Sequence, residues 1–114
     1  MIDLYLESIS MSDELKQDFP LVLTVVLKAL SDPTRLKIVQ ELFNDEATAE
    51  RHCSSFSCLA KFSRATRSHH FRVLREAGLV SLIDKGNLSL AKLRRDEIEK
   101  TYPGLLNILA KHLE

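Results

Sequence analysis

The chain has 114 residues, enough for one domain with a modest core, and 45% of them are hydrophobic. No apolar run approaches the ~20 residues that a membrane-spanning helix needs, and the acidic N-terminal segment lacks the basic region of a signal peptide. From these two absences we expect a cytoplasmic protein with no membrane partner. Two cysteines are too few for a disulfide-built scaffold.

The net charge is zero, but the charges are distributed unevenly along the chain. Residues 1–50 carry 4 basic and 10 acidic side chains, whereas residues 51–114 carry 12 basic and 6 acidic ones. A local basic surface attracts phosphate groups even when the total charge is neutral. The distribution therefore keeps a nucleic-acid partner open.

The N-terminal part of the chain predicts an apolar helix. Weakly amphipathic segments occupy residues 2–9 and 12–19, and Pro20 suits the first turn of the helix that follows. Residues 21–30 are apolar on nearly every side, which predicts burial either in the core or against a second subunit.

A second helix is predicted over residues 34–43. Asp32 is a typical N-cap residue, and Pro33 is a typical first helical residue. The polar residues 44–51 that follow fit either a loop or a solvated extension of this helix. The side chains predicted to face inward are Leu36, Ile38, Val39, Leu42 and Phe43.

Residues 63–80 predict the helix around which the chain is organised. Ser63 suits the N-cap, and Gly78 suits the left-handed residue that ends a helix. Phe71 and Leu74 have the spacing of a buried stripe, while the opposite face presents polar groups suited to a DNA major groove. This exposed face comprises Arg64, Ala65, Ser68, His69 and Arg72.

Elements on either side of this helix complete a DNA-binding motif. Residues 52–62 predict a short, irregular helix in the position of the first helix of a helix-turn-helix. Beyond Gly78 the hydrophobic period becomes two, which predicts strands over residues 79–83 and 88–93 joined by a tight turn. Lys85 lies at the tip of this hairpin.

The C-terminal region predicts a capped helix followed by an apolar one. Asp96 is the predicted N-cap, Pro103 interrupts the helix, and residues 103–113 are strongly apolar. The element order predicts a mainly α fold with a small β-hairpin, a winged helix-turn-helix, with residues 1–114 as one domain. The apolar helices at its two ends exceed what one small core needs, so we expect them to form a homodimer interface.

Two motifs resemble the ArsR/SmtB family of winged-helix repressors. They are LKALSDPTRLKIVQEL at residues 27–42 and SHHFRVLREAGLV at residues 68–80, followed by a wing of matching length. The resemblance implies a cytoplasmic homodimer that binds a palindromic operator in double-stranded DNA and is released by an effector, often a metal ion. It also implies that the N-terminal part of the second motif's helix contacts DNA, at Arg64, Ala65, Thr66, Ser68 and His69.

The chain departs from that family at three places. Cys53 and Cys58 are five residues apart, not the Cys-x-Cys pair of metal-sensing members, and are about 140° apart around a regular helix. His112 stands alone where other members have a set of Asp, His and Glu ligands. Arg67 falls where the family usually has an apolar residue. The first two departures indicate that the family's own metal sites are absent here, and we expect no bound metal and no cofactor.

The cysteines allow three interpretations. Cys53 and Cys58 are buried, inert hydrophobes, or a thiol switch, or part of a metal site with further ligands such as His52. The switch depends on His52 and Lys61 lowering a thiol pKa. If the cysteines act in control, we expect thiol oxidation, and not a divalent metal, to release the protein from DNA.

The sequence therefore predicts a sequence-specific DNA-binding regulator, a homodimeric repressor. No nucleophile motif is present, so we expect no enzyme. The alternatives are a metal-sensing repressor that uses Cys53 and Cys58, and a winged-helix interaction module that does not bind DNA. The residues predicted to contact DNA are Ser63, Arg64, Ala65, Thr66, Ser68, His69, Arg72 and Lys85.

Overall fold

Helices and strands follow the predicted order of a winged helix-turn-helix in the computed structural model, which describes residues 18–45, 51–84 and 89–111. No helix within these ranges is long and apolar enough to cross a membrane. Two 3₁₀ turns, at Cys53–Ser55 and Ser57–Leu59, precede the helix that was predicted to begin after Ser63. The elements are α1 (Leu23–Leu30), α2 (Pro33–Asn44), β1 (Arg51–His52), α3 (Arg64–Glu76), β2 (Val80–Asp84), β3 (Ser89–Leu93), α4 (Arg95–Thr101) and α5 (Leu105–Ala110).

Helix α2 begins where the sequence predicted. The Asp32 carboxylate accepts hydrogen bonds from the backbone N–H groups of Thr34 at 2.8 Å and Arg35 at 3.1 Å, and Pro33 is the first helical residue. These bonds satisfy two of the donors that a helix N-terminus leaves unpaired. Helix α2 ends at Asn44, and residues 46–50 lie outside the described ranges.

Helix α1 begins three residues after Pro20, so the prediction that Pro20 lies in its first turn is wrong. The carbonyl groups of Phe19 and Pro20 instead lie against Gly78 at the end of α3, where an added Cβ atom would be 2.9 and 2.8 Å from the two oxygens. Gly78 has a φ of 83°, so this close approach and the backbone conformation both favour glycine. The predicted segments at residues 2–9 and 12–17 lie outside the described ranges.

Arg94 stabilises this contact between the segment at Phe19 and Pro20 and the end of α3. Its guanidinium donates to the Phe19 carbonyl at 2.8 Å and to the Gly78 carbonyl at 2.7 Å, and it lies 3.4 Å from the Asp18 carboxylate. The Ser81 hydroxyl donates to the same carboxylate at 2.7 Å. We call this group of side chains and carbonyls the Arg94 clasp. It joins the chain ahead of α1 to the loop between α3 and the sheet.

The core lies between α2, α3 and the sheet, and α1, α4 and α5 pack around it. Helix α1 contributes only one side to this core, through Val26, Ala29 and Leu30, so it is not buried on several sides within the chain. The Gln40 side chain is also buried and donates to the Leu109 carbonyl at 2.9 Å, which ties α2 to α5. The largest fully buried side chains are Ile38, Leu59, Leu74, Leu79, Ile98, Val26, Val39 and Val80.

Strands β2 and β3 form the predicted antiparallel hairpin, with Val80 opposite Leu93 and Asp84 opposite Ser89. Strand β1 adds a third strand on the other edge of β3, giving the order β1-β3-β2, and the sequence did not predict it. The hairpin turn at residues 85–88, including Lys85, lies outside the described ranges.

Helix α4 begins at Arg95 with Arg94 at the N-cap position, so the prediction that Asp96 caps it is wrong. The backbone N–H of Ile98 already bonds to the Arg94 carbonyl at 3.0 Å, which places Asp96 in the first turn, where a negative charge is favoured. The helix is interrupted near Pro103 as predicted: α4 ends at Thr101, and Gly104, with a φ of 87°, precedes α5. His112 lies outside the described ranges.

Candidate nucleic-acid interface

The N-terminus of α3 is built by a hydroxyl pair. The Ser63 oxygen accepts from the Thr66 backbone N–H at 3.2 Å, and the Ser63 hydroxyl donates to the Thr66 hydroxyl at 3.0 Å. Ser63 is therefore the N-cap, as predicted, and its hydroxyl is occupied in holding the first turn. A fixed first turn matters because this end of a recognition helix enters the groove.

Helix α3 has two distinct faces. Phe71 and Leu74 are buried, as the sequence predicted, and the Phe71 ring lies against Phe56 with 5.5 Å between ring centroids. Phe56 and Leu59, from the 3₁₀ segment before α3, are buried in the same core, so this short irregular segment packs against the buried face of the helix. All five residues of the predicted DNA-facing side are exposed: Arg64, Ala65, Ser68, His69 and Arg72.

His69 and Arg72 form a linked pair on the exposed face. The Arg72 guanidinium lies 3.3 Å from Nδ1 of His69, one helical turn away. If Arg72 donates in this contact, Nδ1 is the acceptor and the Nε2–H of His69 is a free donor directed outward. The remaining N–H groups of Arg72 are also donors, so the pair presents the type of groups that read guanine edges or bind phosphate oxygens.

His70, the next residue, is buried. Its Nδ1 lies 3.2 Å from the Arg35 guanidinium, and its ring contacts Phe62 edge-on with 5.8 Å between centroids. Burial lowers the pKa of His70, and the charge of Arg35 adds to that effect, while the Asp32 carboxylate opposes it. The structure thus separates the two neighbouring histidines: His69 is exposed and His70 is packed against the core.

Arg35 is a residue that the sequence reasoning missed. Its Nε donates to the Ala29 carbonyl of α1 at 2.8 Å, while its Nη1 contacts His70 of α3. The Asp32 cap beside it has a lowered pKa: burial alone would raise it, but the Arg35 and Thr34 backbone bonds and the Arg35 charge outweigh burial. The DPTR sequence was a clear cap signal but gave no sign of a link to His70.

Several basic residues of the second half serve the fold. Arg51 pairs with Glu41 at 3.0 Å and lies over the Phe56 ring at 4.3 Å. Arg95 donates to the last carbonyls of α2, at Leu42 and Phe43, with distances of 2.7 and 3.0 Å. Together with Arg94, these arginines make contacts within the fold, so part of the charge asymmetry does not require a nucleic-acid partner. The exposed cations of α3 are therefore a more specific indication of nucleic-acid binding than the basic charge of the second half as a whole.

The cysteines are free and partly buried. Burial raises the pKa of both thiols to about 11, and the neighbouring Glu41 carboxylate adds to the effect at Cys58. The prediction that His52 and Lys61 lower a thiol pKa is therefore wrong. Among the described residues, no group of three or more His, Cys, Asp or Glu side chains is placed to hold a metal ion.

A capped helix with exposed donors, supported by a short helical segment and followed by a β-hairpin, defines a winged helix-turn-helix protein. Residues 32–81 match the sequence model of the family described as bacterial regulatory protein, arsR family. This chain belongs to the arsR family of transcriptional regulators, which are not enzymes.

Two relatives support this assignment, and one solved structure has a similar fold. The chain is 32% identical over 95 residues to the uncharacterized HTH-type transcriptional regulator YceK of Bacillus subtilis, covering 83% of this chain and 93% of YceK. It is 31% identical over 86 residues to the transcriptional repressor SdpR of the same organism, covering 75% and 91%. A possible transcriptional regulatory protein of Mycobacterium bovis (fragment 1–100) has the same fold, with a TM-score of 0.57, 21% identity, and coverage of 79% and 91%.

Proposed function

We propose that this protein is a homodimeric repressor that binds a palindromic operator through α3 and acts in the cytoplasm. The observation that carries the proposal is the exposed face of α3, where Arg64, Ser68, His69 and Arg72 lie together on a capped helix whose opposite face is buried. The similarity to SdpR, described as a transcriptional repressor, supports repression over activation.

Each side chain of the face has a role suited to its chemistry. Arg64 and Arg72 bind guanine or phosphate, because a guanidinium donates in a fork that matches both. Ser68 and His69 reach base edges, and Ala65 allows the helix close approach to the groove floor. Ser63 and Thr66 orient the first turn beside a phosphate. Lys85, on the wing, contacts the DNA backbone.

The dimer interface is the apolar surface that the described part of one subunit leaves uncovered. Val22, Leu23, Val25 and Leu27 of the α1 region are 43 to 53% exposed, and Ile108 of α5 is 56% exposed. Apolar patches of this kind on small proteins mark interaction sites. A two-fold pairing through α1 and α5 covers them and places two copies of α3 about one DNA turn, roughly 34 Å, apart.

The direct test selects DNA from a random pool and measures affinity for the selected site. We expect the Arg64→Ala and His69→Ala double variant to lose roughly 1–3 kcal/mol for each lost base contact. Loss of the Arg64 charge should also make the salt dependence of binding shallower by about one unit. Lys100→Ala, which removes an exposed charge of α4 outside the face, is the control and should bind as the wild type does.

The same experiment separates the proposed function from an interaction module. A pool that yields no preferred sequence, with affinity that disappears at moderate salt, would favour a module without specific DNA binding. An unchanged affinity of the double variant would remove α3 from the readout role.

A further inference from the structure

A cavity of about 300 Å³ lies beside the DNA-facing side of α3. Its walls come from the 3₁₀ turn after β1, the N-terminal half of α3 and the sheet, and they include Cys53, Arg67 and Leu82. The volume is at the lower end of the range for small-molecule sites. The residues predicted to contact DNA include two of the lining residues, Arg64 and Ser68.

The unusual member of this lining is Arg67. Arg67 is partly buried, whereas Arg64, which also lines the cavity, is exposed. Within the described ranges, neither Arg67 nor Arg64 has an ion-pair partner, and no residue lining the cavity is acidic. Two arginines and no acidic side chain line this cavity, so its lining favours an anion.

The rest of the lining defines the anion further. Ser54, Ser68 and Ser89 carry hydroxyl groups that can donate hydrogen bonds to a ligand, and Phe71 and Leu82 add apolar side chains to the lining. Two guanidinium groups and hydroxyls beside an aromatic ring suit a planar carboxylate attached to an apolar body.

We propose that this cavity binds a small organic carboxylate with an apolar body, held by Arg67 and Arg64, and that the bound ligand releases the protein from its operator. The ligand occupies Arg64 and Ser68, which the DNA also needs, so ligand and operator compete. This regulation rests on the proposed DNA-binding function, whereas ligand binding itself does not.

The experiment uses benzoate as the probe and the neutral benzamide, of nearly the same shape, as its control. Binding of each to the full chain without DNA is followed by calorimetry and by NMR shifts of the α3 amides. We expect benzoate to bind and benzamide to bind at least tenfold more weakly. The Arg67→Met variant should lose at least tenfold in benzoate affinity. Arg75→Met, which removes an arginine of α3 outside the cavity, should lose none.

Operator binding provides the second readout. Benzoate should displace the wild type and Arg75→Met from the selected operator, while Arg67→Met stays bound. Equal affinities for benzoate and benzamide, or an Arg67→Met variant that still binds benzoate as the wild type does, would overturn the proposal. So would a tenfold loss of operator affinity in Arg67→Met with a shallower salt dependence, because Arg67 would then be a phosphate contact. Operator binding measured without benzoate tests the DNA-binding function separately.

Discussion

Arg35 donates to the Ala29 carbonyl at the end of α1 and contacts the buried Nδ1 of His70 on α3. One side chain therefore joins the helix with the exposed apolar surface to the helix with the exposed donors. The contact with His70 requires a neutral imidazole, because a protonated ring has no acceptor for the guanidinium. This relationship makes the junction sensitive to pH.

We expect the protein to lose stability as the pH falls below about 6.5. The folded pKa of His70 lies below its ordinary value of 6.5, so between these two values the unfolded chain binds more protons than the folded one. Stability from this group is complete above 6.5 and declines as the pH falls towards the lowered pKa. The pKa of Asp32 is also lowered, from 3.8, so its contribution is lost at still lower pH.

Urea unfolding at pH 7.5 and 5.5 measures this effect. The His70→Gln variant removes the titrating group, and its stability should change less between the two pH values than that of the wild type. His52→Gln, a change at an exposed histidine that is not among the groups acting on His70, should keep the wild-type difference. If both variants keep it, the pH response comes from other groups.

Replacing Gly78 should destabilise the fold more than replacing Gly104. Both residues have positive φ, so an alanine at either costs roughly 1–2 kcal/mol in backbone strain. At Gly78 the new Cβ atom also meets the backbone oxygens of Pro20 and Phe19 below 3.0 Å, whereas at Gly104 it meets no atom within 4 Å. Chemical denaturation of Gly78→Ala and Gly104→Ala compares the two. Equal losses would show that the chain at Pro20 moves aside at no cost.

Charges placed on the exposed apolar surface should separate the dimer and leave the subunit folded. Leu27 and Ile108 are more than half exposed in one subunit, so Leu27→Lys with Ile108→Lys removes interface area without disturbing the core. Sedimentation should show monomers, circular dichroism should show native helix content, and operator affinity should fall at least tenfold. Leu106→Glu is the contrasting change: Leu106 is only 3% exposed, so this variant should unfold. A wild type that sediments as a folded monomer at micromolar concentration would contradict the interface.

Both cysteines should react slowly with thiol reagents. A thiol pKa of about 11, against an ordinary value of 9.0, means about 100-fold less thiolate at neutral pH. The rate of iodoacetamide labelling in Cys53→Ser and Cys58→Ser reports each remaining thiol, with glutathione as the reference. Labelling as fast as glutathione, together with operator release by diamide that dithiothreitol reverses, would restore the thiol switch as the means of control.

Features set by neighbouring residues were predictable from the sequence, and those set by distant contacts were not. Asp32 and Ser63 cap helices through bonds that span two or three residues, so local sequence carries the signal. The alternation of β2 and β3 and the buried stripe of α3 are likewise local patterns. These features were enough to establish the fold and the exposed face of the candidate site.

The wrong predictions share one physical cause: each feature depends on contacts or burial that arise only when distant parts of the chain fold together. Pro20 looked like a helix start, but its carbonyl lies against Gly78. Asp96 looked like a cap, but the position of Arg94 in its clasp starts the helix earlier. The thiol pKa values depend on burial, which Cys53 and Cys58 acquire only when the chain folds. The cavity and the Arg35 contact with His70 also join segments far apart in sequence.

The Arg94 clasp has a consequence for how the protein is made. Its bond from Arg94 to the Phe19 carbonyl spans 75 residues of sequence, so it cannot form until Arg94 has left the ribosome. The end of α3 is complete only when Gly78 lies between Arg94 and the segment at Phe19. A nascent chain therefore completes the C-terminal end of α3 only after the wing has been translated.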